Sequence, residues 1–136
     1  MCECVFCAIV KGEKSSHKVF ESVEHLAFLD IRPFVVGHTL VIPKKHYDTL
    51  EDMQVEEVGL LFKTVATIAP KIVRAVNAHG FRLIQNNGEA AAQVVKHVHV
   101  HILPLRNEQR NVFLKRLDLT DLELENIAQK IRESIS

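Results

Sequence analysis

Residues 97–103 read His-Val-His-Val-His-Ile-Leu, so a histidine stands at every second position from His97 to His101. Alternate side chains of a β-strand share one face, which places His97, His99 and His101 together and the apolar residues on the other face. The stretch from Val94 to Leu103 is therefore predicted to be a half-buried strand, ended by Pro104. Three histidines at strict period two indicate chemistry rather than ordinary packing.

Two kinds of chemistry fit this row of histidines. Imidazoles can hold a metal ion that keeps one position open for an activated water. Alternatively, one imidazole attacks an electrophile such as phosphorus while its neighbours hydrogen-bond the developing charge. The upstream turn, Asn86-Asn87-Gly88, and Gln93 are rich in amide donors. These residues favour the reaction at phosphorus.

The elements around the histidine row predict an α+β fold on an antiparallel sheet of about five strands. A 3.6-residue period of apolar positions predicts one long helix from Asp52 to about His79, kinked at Pro70 and closed by Gly80. A capping box at Thr120–Glu123 begins a C-terminal helix. The remaining predicted elements are a short N-terminal helix at 4–11 and strands at 18–21, 25–31, 38–42 and 81–85.

Composition limits the class of protein. The 136 residues are 47% apolar, and 17 Lys and Arg balance 17 Asp and Glu. Length near that of one average domain predicts a single domain over 1–136, and neutral charge argues against a nucleic-acid partner. No apolar run approaches the ~20 residues that span a bilayer, and the N-terminus lacks signal-peptide features. We therefore expect a cytoplasmic protein with no membrane partner.

The histidine row resembles the signature of the histidine triad superfamily of nucleotide hydrolases and transferases, in which histidines alternate with apolar residues. The similarity extends to 28–33, 37–46 and the loop 86–93, and covers about 4–104 of the chain. It implies the family's fold, with residues 105–136 as a helical extension. It also implies a homodimer in which the long helix and a sheet edge pack across a two-fold axis.

The resemblance implies roles for individual residues. His99 matches the nucleophile that forms a covalent nucleotidyl-histidine on the α-phosphate, and His101 and Gln93 match groups that contact the phosphate or the bridging atom. Asp30 matches the acceptor of the ribose hydroxyls, and Asn86 a polar residue that supports phosphate or ribose. The residues implied to line a base pocket are Phe6, Ile9, Phe28 and Ile31.

The cysteines gain partners through the same resemblance. All three lie within the first seven residues, and Cys4 and Cys7 form a C-x-x-C pair. In zinc-bearing relatives such a pair joins the histidines that here are His46 and His97. Two thiolates and two imidazoles make a closed tetrahedral set, typical of a structural zinc. Cys2 is an alternative to Cys4, and the other histidines (17, 25, 38 and 79) are mostly expected to be exposed.

Two departures leave the branch of the family open. Ala92 precedes Gln93 where many members have glycine, so we expect a negative φ there and a reshaped loop. Val94 stands where the phosphoramidate-hydrolysing branch usually has serine. Residues 95–101 look closest to the fragile-histidine-triad branch, which cleaves dinucleoside polyphosphates, whereas the N-terminal half looks like zinc-bearing bacterial and archaeal members.

Three functions remain in competition at this point. The first is a hydrolase that releases a nucleoside monophosphate such as AMP from a purine dinucleoside polyphosphate or nucleoside phosphoramidate through a covalent His99 intermediate. The second is a nucleotide-binding or scaffolding homodimer with incidental turnover. The third is a metal-activated hydrolase that uses all three histidines of the row as ligands.

Overall fold

The computed structural model describes residues 4–136 and confirms the predicted α+β architecture. A five-stranded antiparallel sheet has the order β1-β2-β3-β5-β4. The elements are α1 (Val5–Val10), β1 (Lys18–Glu21), β2 (His25–Leu29), β3 (Thr39–Pro43), α2 (Val55–Ala75), β4 (Gly80–Gln85), β5 (Val100–Leu105) and α3 (Asp121–Ile135).

The two faces of the sheet carry different cores. Helices α2 and α3 cover one face, on which Val100 and Ile102 of β5 are fully buried. Helix α1 packs on the other face, where Phe6 meets Phe28 edge-on with ring centroids 5.4 Å apart. Because side chains alternate along β5, His101 lies on the α1 face. The site therefore forms on the face that the two long helices leave open.

Two predicted boundaries are wrong at the ends of α2 and β2. Helix α2 contains Pro70 as predicted but ends at Ala75, and Gly80 begins β4 instead of closing the helix. The chain turns at Asn77, which adopts a left-handed φ of 56°, a conformation that asparagine tolerates. Strand β2 ends at Leu29, so Asp30 lies just beyond it at the rim of the sheet.

The strand that carries the histidines begins later than predicted, at Val100 instead of Val94. The preceding backbone bends, with His97 N–H bonded to Val95 O and Val98 N–H bonded to Tyr47 O, outside the ladder. The strand also continues through Pro104. Its pairing with β3 ends at Ile102, so at Pro104 the strand borders only β4. The proline has no N–H to donate, which is tolerated where a second neighbouring strand is absent.

The C-terminal helix begins where the capping box predicts. Glu123 N–H donates to the Thr120 hydroxyl at 3.1 Å, and Thr120 N–H donates to the Glu123 carboxylate at 2.9 Å. Helix α3 then packs against α2 and β1. Within residues 4–136, none of the helices is sufficiently long and apolar to traverse a bilayer.

Candidate functional site

A cavity of about 600 Å³ opens on the α1 face of the sheet. Ligand pockets of this size are ordinary for small molecules. The cavity brings together side chains from α1, the end of β2, the loop before β3, the loop after β4, and β5. Eight of the residues predicted for the nucleotide site line it: Phe6, Ile9, Phe28, Asp30, Ile31, Asn86, His99 and His101.

The orientation of His99 is set by the backbone of the residue two positions earlier. Its Nδ1 donates to the carbonyl oxygen of His97 at 2.7 Å. The ring proton of neutral His99 is therefore on Nδ1, and Nε2 keeps a lone pair. Within residues 4–136 no hydrogen bond occupies Nε2, and the ring lies at the cavity wall. This geometry presents an unprotonated nitrogen to a ligand.

His101 has the opposite tautomer because His38 lies behind it. The Phe34 N–H donates to Nδ1 of His38 at 3.2 Å, so the ring proton of neutral His38 is on Nε2. That Nε2 donates to Nδ1 of His101 at 2.9 Å. His101 must then carry its own proton on Nε2. The cavity thus contains one imidazole with a free lone pair and one with an N–H to donate.

Burial keeps these rings neutral. The pKa of His38 and the pKa of His101 are lowered to about 4, chiefly by desolvation, and the neighbouring positive charge of Arg116 contributes to both shifts. Burial also lowers the pKa of His99 below its ordinary value. At neutral pH the network therefore holds uncharged rings with fixed tautomers.

The placement of His38 depends on a close packing of the preceding backbone. Gly37 has φ +90°, and a Cβ there would lie 3.0 Å from Val76 Cγ1 and 3.2 Å from Pro104 Cγ. Only glycine fits this turn without displacing those side chains. The expectation that most unassigned histidines are exposed is wrong: His38 is 1% exposed, and His17 and His25 are also buried, whereas His79 is exposed.

Asp30 lies at the rim of the cavity with its carboxylate partly engaged. Oδ1 accepts the Arg32 N–H at 2.8 Å, and Oδ2 lies 3.8 Å from Nε2 of His38 and 3.6 Å from Arg116. Each carboxylate oxygen has a further lone pair, so the group can still accept from a ligand hydroxyl.

The predicted phosphate loop differs from expectation at two residues. Ala92 has φ +63°, so the expected negative φ is wrong, and the loop retains a left-handed turn that costs an alanine about 1–2 kcal/mol. Gln93 is buried and does not line the cavity. Its Oε1 accepts Gly88 N–H at 2.7 Å, and its Nε2 donates to Asp48 O at 2.6 Å and to Val95 O at 3.1 Å. In this conformation Gln93 shapes the loop, and its phosphate contact stays a prediction.

A second histidine cluster lies beside the first and includes two cysteine sulfurs. The Sγ and Nδ1 atoms of Cys4, Cys7, His46 and His97 all lie within 4.8 Å of one another. The four sulfur–nitrogen distances run from 3.2 to 3.7 Å, and the two Nδ1 atoms are 3.2 Å apart. Tetrahedral zinc with ordinary bond lengths requires edges of about 3.6 Å between S and N and about 3.3 Å between N and N.

The outer nitrogens of this cluster have partners that suit metal ligation. Nε2 of His97 donates to Pro43 O at 2.8 Å, and Nε2 of His46 donates to Asp48 Oδ1 at 2.6 Å. Both Nδ1 atoms are therefore lone-pair donors that face the cysteine sulfurs. Helix α1 contributes the sulfurs because Cys4 caps it, accepting Cys7 N–H at 3.2 Å. Cys2 lies outside the described residues.

The structure separates His97 from the other two histidines of the row. Among residues 4–136, the second group compatible with a metal is Asp30, His38 and His101, and His97 and His99 do not join it. Nε2 of His38 carries a proton and donates it in a hydrogen bond to His101, so this nitrogen has no lone pair for a metal. The group therefore fits a hydrogen-bond network better than a metal site. The three-ligand metal arrangement therefore lacks geometric support.

Two residues at the cavity were missed by sequence reasoning. His38 stands at the start of an apolar run, where nothing in the sequence distinguishes it from an exposed strand-end histidine. Arg116 comes from the connection between β5 and α3, and it reaches the cavity only because the chain folds back. Long-range contacts of this kind leave no periodic signal in the sequence.

The fold and the paired histidine clusters define a protein of the histidine-triad class, and comparison with known sequences agrees. Residues 11–108 match the family described as the HIT domain. The chain belongs to the HIT family. An adenylylsulfatase of Arabidopsis thaliana is 43% identical over 102 residues, 75% of this chain and 52% of that protein. An adenosine 5′-monophosphoramidase of Schizosaccharomyces pombe is 40% identical over 106 residues, 78% of this chain and 77% of that protein.

Solved structures show the same fold. A HIT-like protein from Bartonella henselae superposes with a TM-score of 0.89 at 34% identity, covering 97% of this chain and 96% of that one. A zinc-bound histidine triad family protein from Mycobacterium smegmatis superposes with a TM-score of 0.81 at 37% identity, covering 98% and 93%.

Proposed function

We propose that this protein is a nucleotide hydrolase or transferase that acts on the α-phosphate of purine nucleotide derivatives and releases a nucleoside monophosphate such as AMP. The observation that carries the proposal is the tautomer of His99, whose free Nε2 lies at the wall of the cavity. The names of the two relatives, a phosphoramidase and an adenylylsulfatase, support cleavage of a bond to the nucleotide phosphorus.

The proposed reaction has two steps. Nε2 of His99 attacks the α-phosphorus, a P–N bond forms, and the bond from phosphorus to the leaving group breaks with its electron pair on the leaving group. Water then attacks the same phosphorus, the P–N bond breaks, and neutral His99 returns. The leaving group takes its proton in the first step, from the His101 Nε2–H or from solvent, and in the second step water supplies hydroxyl to phosphorus and a proton to His101 or to solvent. Two steps of this kind each have a lower barrier than direct hydrolysis.

The neighbouring groups assist by hydrogen bonding and by placement of the substrate. The Nε2–H of His101 stabilises charge on the phosphoryl oxygen or the bridging atom. Asp30 accepts the ribose hydroxyls, and Asn86 and Gln93 support the phosphate. The apolar side chains proposed to hold the base are Phe6, Ile9, Phe28 and Ile31.

We also propose a structural zinc held by Cys4, Cys7, His46 and His97. The near-tetrahedral spacing of their donor atoms and the pinned outer nitrogens support it. A zinc ion with four protein ligands supplies a cross-link and leaves no open position for chemistry. It would tie α1 to the residues just before β5, and so hold in place the His97 carbonyl that orients His99.

The proposed assembly is a homodimer. Strand β4 is at an edge of the sheet, and its Phe81 and Leu83 side chains are 44% and 41% exposed. An uncovered edge strand with apolar side chains is a ready surface for pairing with a second copy. Sedimentation analysis of wild type and Leu83→Lys tests this assembly, since the lysine should shift the population toward monomer.

The first experiment is AMP release from diadenosine triphosphate and from adenosine 5′-phosphoramidate by wild type and His99→Ala. We expect turnover that the substitution lowers at least about 10³-fold, because the nucleophile is lost. The exposed His79→Ala variant is the matched control and should retain activity. If neither substrate is cleaved while AMP still binds, the protein is instead a nucleotide-binding or scaffolding dimer. Immediate loss of turnover on chelation, without a covalent adduct, would indicate the metal-activated alternative.

A further inference from the structure

The connection between β5 and α3 passes back over the rim of the cavity. This segment, 106–120, extends beyond the part of the chain that matches the family, which ends at residue 108. It is attached to the loop before β3, since Leu117 N–H donates to Pro33 O at 2.6 Å. Arg116 is the residue of this segment whose side chain lines the cavity.

Three contacts hold the Arg116 guanidinium in place. It lies over the Phe34 ring, 4.3 Å from guanidinium carbon to ring centroid. One terminal nitrogen donates to the Arg32 carbonyl and lies 3.6 Å from Asp30 Oδ2. Stacking on a ring orients the plane of the guanidinium and leaves its edge to bind other groups.

Most of the donors of Arg116 are still available. A guanidinium has five N–H groups, and within residues 4–136 only the Arg32 carbonyl accepts a hydrogen bond from this one. The side chain is 41% exposed and shares the cavity with His38 and His101. A permanently charged, pre-oriented fork of donors therefore stands in the same cavity as the His101 N–H, close enough for its charge to act on the His101 ring.

Such a fork distinguishes two classes of leaving group. Arginine binds phosphate and sulfate oxygens through paired, charge-assisted hydrogen bonds. Ammonia or an amine, the leaving group of a phosphoramidate, offers no negative charge to it. We infer that Arg116 binds the anionic leaving group of the substrate, so that the protein favours nucleotide anhydrides with phosphate or sulfate over nucleoside phosphoramidates. This inference rests on the proposed hydrolase function and deepens it.

The test compares kcat/KM for three substrates that share the AMP half: diadenosine triphosphate, adenylyl sulfate and adenosine 5′-phosphoramidate. The readout is the ratio of each anhydride to the phosphoramidate. We expect Arg116→Gln to lower this ratio about tenfold or more, and Arg116→Lys, which keeps the charge without the fork, to lower it less. Lys115→Gln is the matched control, because it removes the same charge from the adjacent exposed residue and should leave the ratio unchanged.

Each outcome decides the inference. If Arg116→Gln lowers the ratio of kcat/KM only for diadenosine triphosphate, the leaving group that Arg116 binds is a polyphosphate. If it lowers the ratio only for adenylyl sulfate, the leaving group is sulfate. An equal loss on all three substrates would show that Arg116 only supports Asp30 and the Phe34 loop, and the inference would be wrong. An unchanged ratio in Arg116→Gln overturns it as well. Absence of His99-dependent turnover on every substrate in wild type is a different result, which removes the proposed function itself.

Discussion

The two histidine clusters of this protein are adjacent in space yet prepared for different chemistry. In the cysteine cluster, His46 and His97 turn Nδ1 toward two cysteine sulfurs while Nε2 donates to Asp48 and Pro43. In the cavity, His99 and His101 belong to a network in which one ring offers a lone pair and the other a proton. The same type of side chain, an imidazole, is thus a candidate metal ligand in one cluster and a candidate nucleophile in the other.

The difference comes from which acceptor or donor fixes the second ring nitrogen. A carboxylate or backbone carbonyl on Nε2 frees Nδ1 for a metal, and a backbone carbonyl on Nδ1 frees Nε2 for a substrate. His97 takes part in both arrangements: its ring belongs to the cysteine cluster, and its carbonyl oxygen orients His99. A single residue therefore connects the stability of one cluster to the geometry of the other.

Substitution of His38 should give the largest effect that separates the two clusters, because it should lower activity without changing zinc content. We expect His38→Phe to lower kcat about 100-fold, because His101 loses the donor that fixes its tautomer. His38→Gln should recover part of this loss, since its amide can still donate to His101. Steady-state kinetics and bound-zinc content measure the two clusters separately. Equal rates in the two variants, or loss of zinc in either, would contradict the division of roles.

The complementary change removes the cysteine cluster. In Cys4→Ser and Cys7→Ser we expect loss of bound zinc and a fall of about 10 °C or more in the midpoint of thermal unfolding, while folded protein retains His99-dependent turnover. Cys2→Ser is the control and should keep its zinc. Metal analysis by atomic emission gives the result directly. If Cys2→Ser loses zinc while Cys4→Ser keeps it, Cys2 and not Cys4 is the zinc ligand.

A smaller effect should appear in the pH dependence of stability. The folded pKa values of His38 and His101 lie near 4, below the value near 6.5 expected in an unfolded chain. Below pH 6.5 the unfolded state binds these protons first, so the free energy of unfolding should decline as pH falls from about 6.5 to about 4. Urea unfolding across this range measures the slope. The decline should persist in Cys7→Ser and become shallower in His38→Phe; the reverse pattern would assign it to the cysteine cluster.

Local patterns were enough to predict the order and type of the elements. Apolar periodicity located α2, and the capping box located the first residue of α3. Boundaries were predicted wrongly for two different reasons. At β5 a tertiary contact intervenes, since Tyr47 O accepts the Val98 N–H and the strand begins later. After α2 the reason is local, since Asn77 adopts the left-handed conformation that was expected at Gly80. Ala92 adopts a positive φ although its side chain disfavours it, because the surrounding loop holds it there.

Sequence spacing alone determined the fold class and the alternation that places His99 and His101 on one face. The members of the cysteine cluster were predicted only through the resemblance to the histidine triad family. Tertiary structure decided the protonation pattern. Which ring nitrogen is free depends on the His97 carbonyl, the Phe34 N–H and the buried ring of His38, and the folded chain brings these to the site. It also decided that Arg116, from a segment with no recognisable motif, stands at the cavity wall. Hydrogen bonds and charges act over a few ångströms in space, whatever the separation in sequence, and only folding sets those distances.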